Sequence, residues 1–216
     1  MSNSKEIIAI LIPGFPESEQ DSICLPAQQS FVLHLQQSMP DVNIVVLTFH
    51  YPYHQKPYAW NGIQVIPFSG LNKGGIAGYF MRRKIDNVLK QLHQKNRIKA
   101  LLSFWYGECA YVGQVFSRKM GVPHYCWIRG QDAKKDNHYP EKLKLKSEQL
   151  IALSEFLQDE FEKNHGVRPK WLVNQGIDAK NFHSMNTIKD IDLLAVGSLI
   201  PLKRLELFIE TVKNII

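Results

Sequence analysis

Eight short apolar runs, separated by segments of helical period, set the strongest limit on this chain. They are IIAILI (7–12), IVVLTF (44–49), IQVIPF (63–68), ALLSF (100–104), HYCWI (124–128), LIAL (150–153), WLVN (171–174) and LLAV (193–196). Runs this short fit strands buried on both faces. Between them, Met81, Ile85, Val88, Leu89 and Leu92 fall on one side of a helix, and Cys109, Val112, Gly113, Phe116 and Met120 repeat the pattern, so each segment should bury one stripe. Ser154 is placed to cap a helix marked by Phe156, Leu157 and Phe161, and Leu205, Phe208, Ile209, Val212 and Ile216 mark a last one. Strands alternating with helices need crossover connections, which predicts an α/β fold with a parallel sheet and helices on both faces.

The 216 residues and 44% hydrophobic content allow one large domain, or one domain and part of a second, with an ample core. The opening MSNSKE is polar, and Ile7 to Ile12 is too short for a signal peptide or a membrane span, so a cytoplasmic protein is expected. Cys24, Cys109 and Cys126 are odd in number and widely spaced, which argues for reduced thiols over a disulfide framework or a zinc site. Lys and Arg exceed Asp and Glu by 26 − 20 = 6, which favours anionic partners. No aromatic-basic RNA signature or recognition-helix pattern accompanies that surplus, so nucleic acid is not the expected partner.

Parallel α/β sheets bind ligands beyond the carboxyl ends of their strands, which directs attention to the exit loops. Four stand out: PGFPESEQDS after the first run, FWYGE after ALLSF, RGQDAKKDN after HYCWI and GSLIPLK after LLAV. In RGQD, Arg129 can present a planar fork to carboxylate or phosphate, with Asp132 as its orienter or as a hydroxyl acceptor; an internal Arg–Asp pair in a surface turn is the equal alternative. Tyr106 and Glu108 on the neighbouring exit form an aromatic and carboxylate grip suited to a sugar, although a glutamate there more commonly just favours a helix amino terminus. The turn at Gly197 offers free amides at a helix start that opens with Lys203 and Arg204, cations the helix dipole disfavours; they either meet a phosphate or stand solvated and screened by water at little cost. KGGIAG (73–78), followed by Arg82, Arg83 and Lys84, reads as a flexible loop, or as a grip on an anionic acceptor or membrane surface. Neither GxGxxG nor GxxxxGK[ST] is present. Asp190-Ile-Asp192 precedes its strand, and the histidines lack ligand spacing, so no metal is expected.

In that order the pieces resemble a family 4 glycosyltransferase, a retaining nucleotide-sugar enzyme of the GT-B fold with two facing Rossmann-like domains. PGFPES resembles the loop after its first strand, and the segment from LLSFWYGE to WIRGQD resembles the approach to its His-Gly-x-Asp loop. LIALSEFLQDEF is similar to its following strand and helix. VNQGIDAKNF resembles the interdomain signature, and LLAVGSLIPLKRLELFIETVKNI the opening of the donor domain. The resemblance implies the N-terminal half of a GT-B fold over 1–175, a linker over 176–190 and the start of a truncated donor-binding domain over 191–216. It implies a nucleotide-sugar donor without a metal or other cofactor, and a glycan, lipid or other hydroxyl acceptor. Catalytic roles would fall on Arg129 and Asp132, diphosphate contacts on Gly14, Gly197, Ser198, Lys203 and Arg204, and acceptor contacts on Tyr106 and Glu108.

Four positions depart from the family pattern, one of them Gln175, which is inserted in the Asn-Gly pair. Arg129 stands where histidine is common, Ser198 where an arginine is frequent, and Arg204 where glycine usually follows the lysine. The family's paired glutamates and nucleoside pocket lie beyond one strand and one helix of the donor domain. A fragment inactive by itself is therefore expected, with peripheral contact at the inner membrane face as an option for its basic surface. The alternative is a non-catalytic α/β module that binds a nucleotide or glycan.

Overall fold

In a computed structural model that describes residues 6–177, 179, 190–197 and 199–215, the chain divides into two units, Met1–Asp178 and Ala179–Ile216. The larger is built on one sheet of eight strands: β1 (Ile7–Gly14), β2 (Asn43–Tyr51), β3 (Tyr58–Trp60), β4 (Ile63–Pro67), β5 (Ile98–Phe104), β6 (His124–Trp127), β7 (Leu150–Ala152) and β8 (Trp171–Leu172). Their spatial order is β3-β4-β2-β1-β5-β6-β7-β8, and every pairing is parallel except that of β3 with β4. The chain moves outward from β1 through β2 to β4, then crosses to the other side of β1 with β5. The carboxyl ends of β1 and β5 therefore flank the topological switch point, where the connecting loops part.

Five helices cover the sheet: α1 (Pro26–Ser38), α2 (Gly75–Lys95), α3 (Glu108–Met120), α4 (Tyr139–Leu143) and α5 (Glu155–His165). Side chains of β1 alternate between two cores. Ala9 and Leu11 pack with Ile85 and Leu89 of α2 and Phe116 of α3, while Ile10 and Ile12 pack with Val32 of α1. Because both faces are covered, the run is continuously apolar. A third core joins Cys126, Leu150 and Ala152 to Leu157 and Phe161 of α5. Burying a Leu or Phe at such positions contributes about 2–3 kcal/mol.

Local chemistry sets the helix ends. Ser154 Oγ accepts from the Leu157 amide at 3.2 Å, the expected cap of α5, and Gly121 (φ 68°) and Gly166 (φ 73°) end α3 and α5 in the left-handed conformation. A polar network is sealed between β5, β6 and α3. His124 Nδ1 donates to Gln114 Oε1 (3.1 Å) and Nε2 accepts from Ser103 Oγ (3.0 Å). Burial pushes the imidazole down to about 3, so it stays neutral. A Cβ on Gly113 would lie 2.5 Å from His124 Nε2, so glycine is what leaves the ring its space.

Several expectations are corrected. Phe156 is 74% exposed, because Leu157 and Phe161 already fill the space beneath α5. Met120 lies at the open end of α3 and is 37% exposed. The run LLAV forms no strand, since a parallel strand needs a neighbour and Leu193, Leu194 and Val196 have none among the described residues. In the smaller unit, α6 (Leu205–Lys213) starts after a 3₁₀ turn at Pro201–Lys203, with Arg204 at its cap in the left-handed conformation (φ 48°). The cations thus precede the helix. No helix among the described residues is long and apolar enough to cross a membrane.

Candidate functional site

Three neighbouring strands, β1, β5 and β6, deliver Gly14, Tyr106 with Glu108, and Arg129 with Asp132 to one edge of the sheet. Gly14 sits at the switch point, where a Cβ would meet Tyr51 Cβ at an ordinary 3.5 Å. The exits of β5 and β6 are locked together. Asn137 Nδ2 donates to the carbonyls of Tyr106 (3.1 Å) and Asp132 (3.0 Å), and the Trp105 amide donates to the Trp127 carbonyl at 3.1 Å. Asn137 escaped the sequence reading because an asparagine in a polar loop carries no signal of its own.

Tyr106 is not an open platform for a sugar. Trp105 adopts a left-handed backbone (φ 67°), and the residue that follows it lies in the core. The Tyr106 ring stacks on Phe161 at 5.6 Å and its hydroxyl accepts from the Leu145 amide at 3.1 Å. Glu108 is also engaged from within. Arg82 Nη1 approaches Oε1 at 2.6 Å, and His50 Nε2 lies 3.2 Å from Oε2. Because His50 Nδ1 accepts from the Asn72 amide (3.3 Å), Nε2 carries the proton toward Glu108. Burial opposes ionisation of Glu108, but the bonds from His50 and Arg82 outweigh it and hold the carboxyl below its ordinary range. The residue ties α3 to α2 and β2.

Arg129 and Asp132 share a loop, yet their side chains do not form an ion pair. The Arg129 amide donates to Asp132 Oδ2 at 2.7 Å, while the guanidinium turns away and gives Nη1 to Gln175 Oε1 at 2.8 Å. With its amide oxygen toward the arginine, Gln28 of α1 accepts from Nη2. Aromatic rings enclose the group, with Phe104, Trp105 and Trp127 at 5.5, 5.5 and 5.1 Å. Arg129 is 8% exposed and no carboxylate lies within ion-pair distance among the described residues. Its Nε and Trp127 Nε1 are buried donors without an acceptor among the described residues. Buried polar groups are normally satisfied, so two orphan donors two residues apart at one strand exit are an exception that calls for an account. Burial pushes Asp132 up to about 6, against the opposing pull of the Tyr106 and Arg129 amides and the Arg129 charge.

The β6 exit loop stands between two clefts. Arg129 and Trp127 line one of about 230 Å³ with Ser30 and His34 of α1 and Asn174. Gly130 lines the other, of about 450 Å³, with Lys134, Lys135 and Ser154. Gln28 and Gln175, the acceptors that hold Arg129, lie far from it in sequence; Gln28 carries no signal there, and Gln175 stands out only as an insertion in the Asn-Gly pair of the interdomain signature.

In the smaller unit Lys203 is exposed, and Arg204 pairs with Glu206 in the first turn of α6. Gly197 has open space where a Cβ would stand. Ser198 lies outside the described residues.

No sequence-family profile matches this chain, and no curated protein matches it in sequence. Its structure is similar to that of sucrose-phosphate synthase from Thermosynechococcus elongatus, at 15% identity over 84% of this chain and 50% of that one, with a TM-score of 0.57. A UGT transferase from Siraitia grosvenorii, solved in complex with UDP, overlaps less: 13% identity, 56% of this chain, 24% of that chain, TM-score 0.40. The chain thus spans half the length of the first and about a quarter of the second. The likeness to the synthase is one of fold, a Rossmann-like α/β sheet covered by helices on both faces.

Proposed function

We propose that this chain is the acceptor-side part of a glycosyltransferase, which passes a sugar from a nucleoside diphosphate to an acceptor hydroxyl with retention of configuration. The observation that carries the reading is the pair of orphan donors, Arg129 Nε and Trp127 Nε1, buried at a strand exit beside the switch point. They offer hydrogen bonds where an oxygen-rich ligand would sit, and a guanidinium without a counter-ion favours one bearing negative charge. Asp132, on the same loop, is an acid poised near neutrality that accepts a hydroxyl proton when ionised. The exposed Lys203 with Arg204, and Gly197 with Ser198, are assigned to the donor diphosphate. Gly14 leaves room beside the switch point. Charge placement at the leaving group, with no metal called on, supplies the stabilisation.

Calorimetric titration with nucleoside diphosphate sugars tests this reading. Arg129→Met is expected to weaken binding at least tenfold, about 1.4 kcal/mol. Binding indifferent to that change overturns the assignment. In a transfer assay on this chain joined to a complete donor-binding domain, Lys203→Ala is expected to lower turnover at least tenfold, about 1.4 kcal/mol in the barrier. Tight binding with no transfer to any hydroxyl acceptor would favour a non-catalytic module.

A further inference from the structure

The first two turns of α2 place Ile76, Tyr79 and Phe80 in water, at 78%, 50% and 65% exposure. Their spacing puts them on one side of the helix. Met81, Ile85 and Leu89 take a different side into the core, so α2 has a second apolar face that its own domain does not cover. Two segments next to α2 also expose apolar side chains. Leu71 is 44% exposed in a turn where Ser69, Leu71 and Asn72 all hold positive φ (53°, 53°, 55°), a conformation that is costly for such residues. Tyr53, 69% exposed, belongs to the β2–β3 loop, which adjoins α2 where Gln55 accepts from Lys84 Nζ.

The charge around the patch has one sign. Lys73, Arg83 and Lys84 have no carboxylate within ion-pair distance among the described residues, and Arg83 lies 5.8 Å from the Tyr79 ring. The nearest acids are engaged elsewhere: Glu108 with Arg82 and His50, Asp86 with Lys90 and Lys119. The first turn of α2 has no acidic residue to offset the positive end of its dipole.

We infer that this end of α2 docks on an anionic lipid bilayer, with Ile76, Tyr79 and Phe80 entering the boundary between headgroups and acyl chains and Lys73, Arg83 and Lys84 meeting lipid phosphates. Aromatic and aliphatic side chains ringed by cations have the chemistry of an interfacial helix. The exposed apolar side chains here number far fewer than the roughly 20–30 residues a side of a stable protein interface, and lysine is depleted in such interfaces. This surface rests on its own chemistry, whatever Arg129 and Asp132 transfer.

Vesicle flotation of the 216-residue chain tests the inference. The protein is expected to float with phosphatidylcholine vesicles containing roughly 30 mol% phosphatidylglycerol, and not with phosphatidylcholine alone. Salt at about 1 M, where the screening length is about 3 Å, should release it. Arg83→Ala and Lys84→Ala should each weaken partitioning about fivefold. Ile76→Ser with Phe80→Ser should abolish it, with unfolding temperature and sugar-nucleotide binding unchanged because both side chains lie in water. Equal flotation with neutral vesicles, or flotation untouched by the double serine variant, overturns the inference. So does release by soluble glycerophosphate at matched phosphate concentration, which would mean a free-phosphate site. A dimer in solution that Phe80→Ser dissociates would assign the patch to a second copy and likewise overturn it.

Discussion

Glu108 and Asp132 occupy neighbouring strand exits, and their surroundings push them in opposite directions. Burial acts against the charged form of both. At Glu108 it is outweighed by an imidazole N–H and a guanidinium, so the carboxyl is held low and ionised. At Asp132 it prevails, because Arg129 offers the carboxylate its backbone amide and sends its guanidinium to two glutamine oxygens. The first arrangement is closed: every charge has a partner, and what it accomplishes is to fasten three elements together. The second keeps a cation, two orphan donors and a near-neutral acid available. Separated titration of two adjacent carboxyls is the usual physical basis for dividing structural from chemical roles.

The sharpest way to break this comparison is pH. Asp132 binds its proton more tightly folded than unfolded, so its contribution to stability is full below the unfolded value of 3.8 and is lost as pH rises through about 6. Asp132→Asn removes that loss. Relative to wild type, the variant should gain on the order of 2–3 kcal/mol between pH about 4 and pH about 7.5, measured by urea unfolding. A flat difference would mean that Asp132 titrates normally. Next in size is Arg129→Met, examined for stability alone. A buried cation without a carboxylate is no net stabiliser, so the change should stay within about 1.5 kcal/mol while ligand binding is lost. Unfolding of that variant would make Arg129 a structural residue and erase the contrast.

Smaller still is Glu108→Gln, expected to cost about 1 kcal/mol at neutral pH through the Arg82 and His50 contacts. Here the sign reverses. The folded Glu108 is held below its unfolded value of 4.5, so its contribution is present above that pH and disappears as pH falls through the folded value. The variant and wild type should therefore converge in acid, and nucleotide-sugar binding should be unaltered.

Much of the sheet was legible because its signal is local. IIAILI and IVVLTF are apolar on consecutive residues, and only a strand covered on both faces uses them all. The limits of that signal show in two runs of similar composition. LIAL contains β7, which lies between β6 and β8, whereas LLAV, without a neighbouring strand among the described residues, is not a strand. Helix α1 escaped because Phe31, Val32, Leu33 and Leu35 crowd together instead of recurring at helical spacing, although Pro26 at its first position was a usable start signal. Strand β3 has three residues and owes its existence to pairing with β4.

The candidate site divides along the same line. That Arg129 and Asp132 leave the end of a strand followed from the run HYCWI, since position relative to an apolar run is a local property. Whether Arg129 would pair with Asp132, and whether Tyr106 would face outward, depended on the backbone turn at Trp105 and on Gln28 and Gln175, from α1 and from beyond β8. By itself, then, the sequence determined the alternation of strands and helices and the loops that could carry chemistry, because hydrophobic periodicity is written over a few residues at a time. The tertiary structure alone decided which charges are spent on holding the fold and which are left open, because pairing and burial depend on groups the chain brings together from a distance.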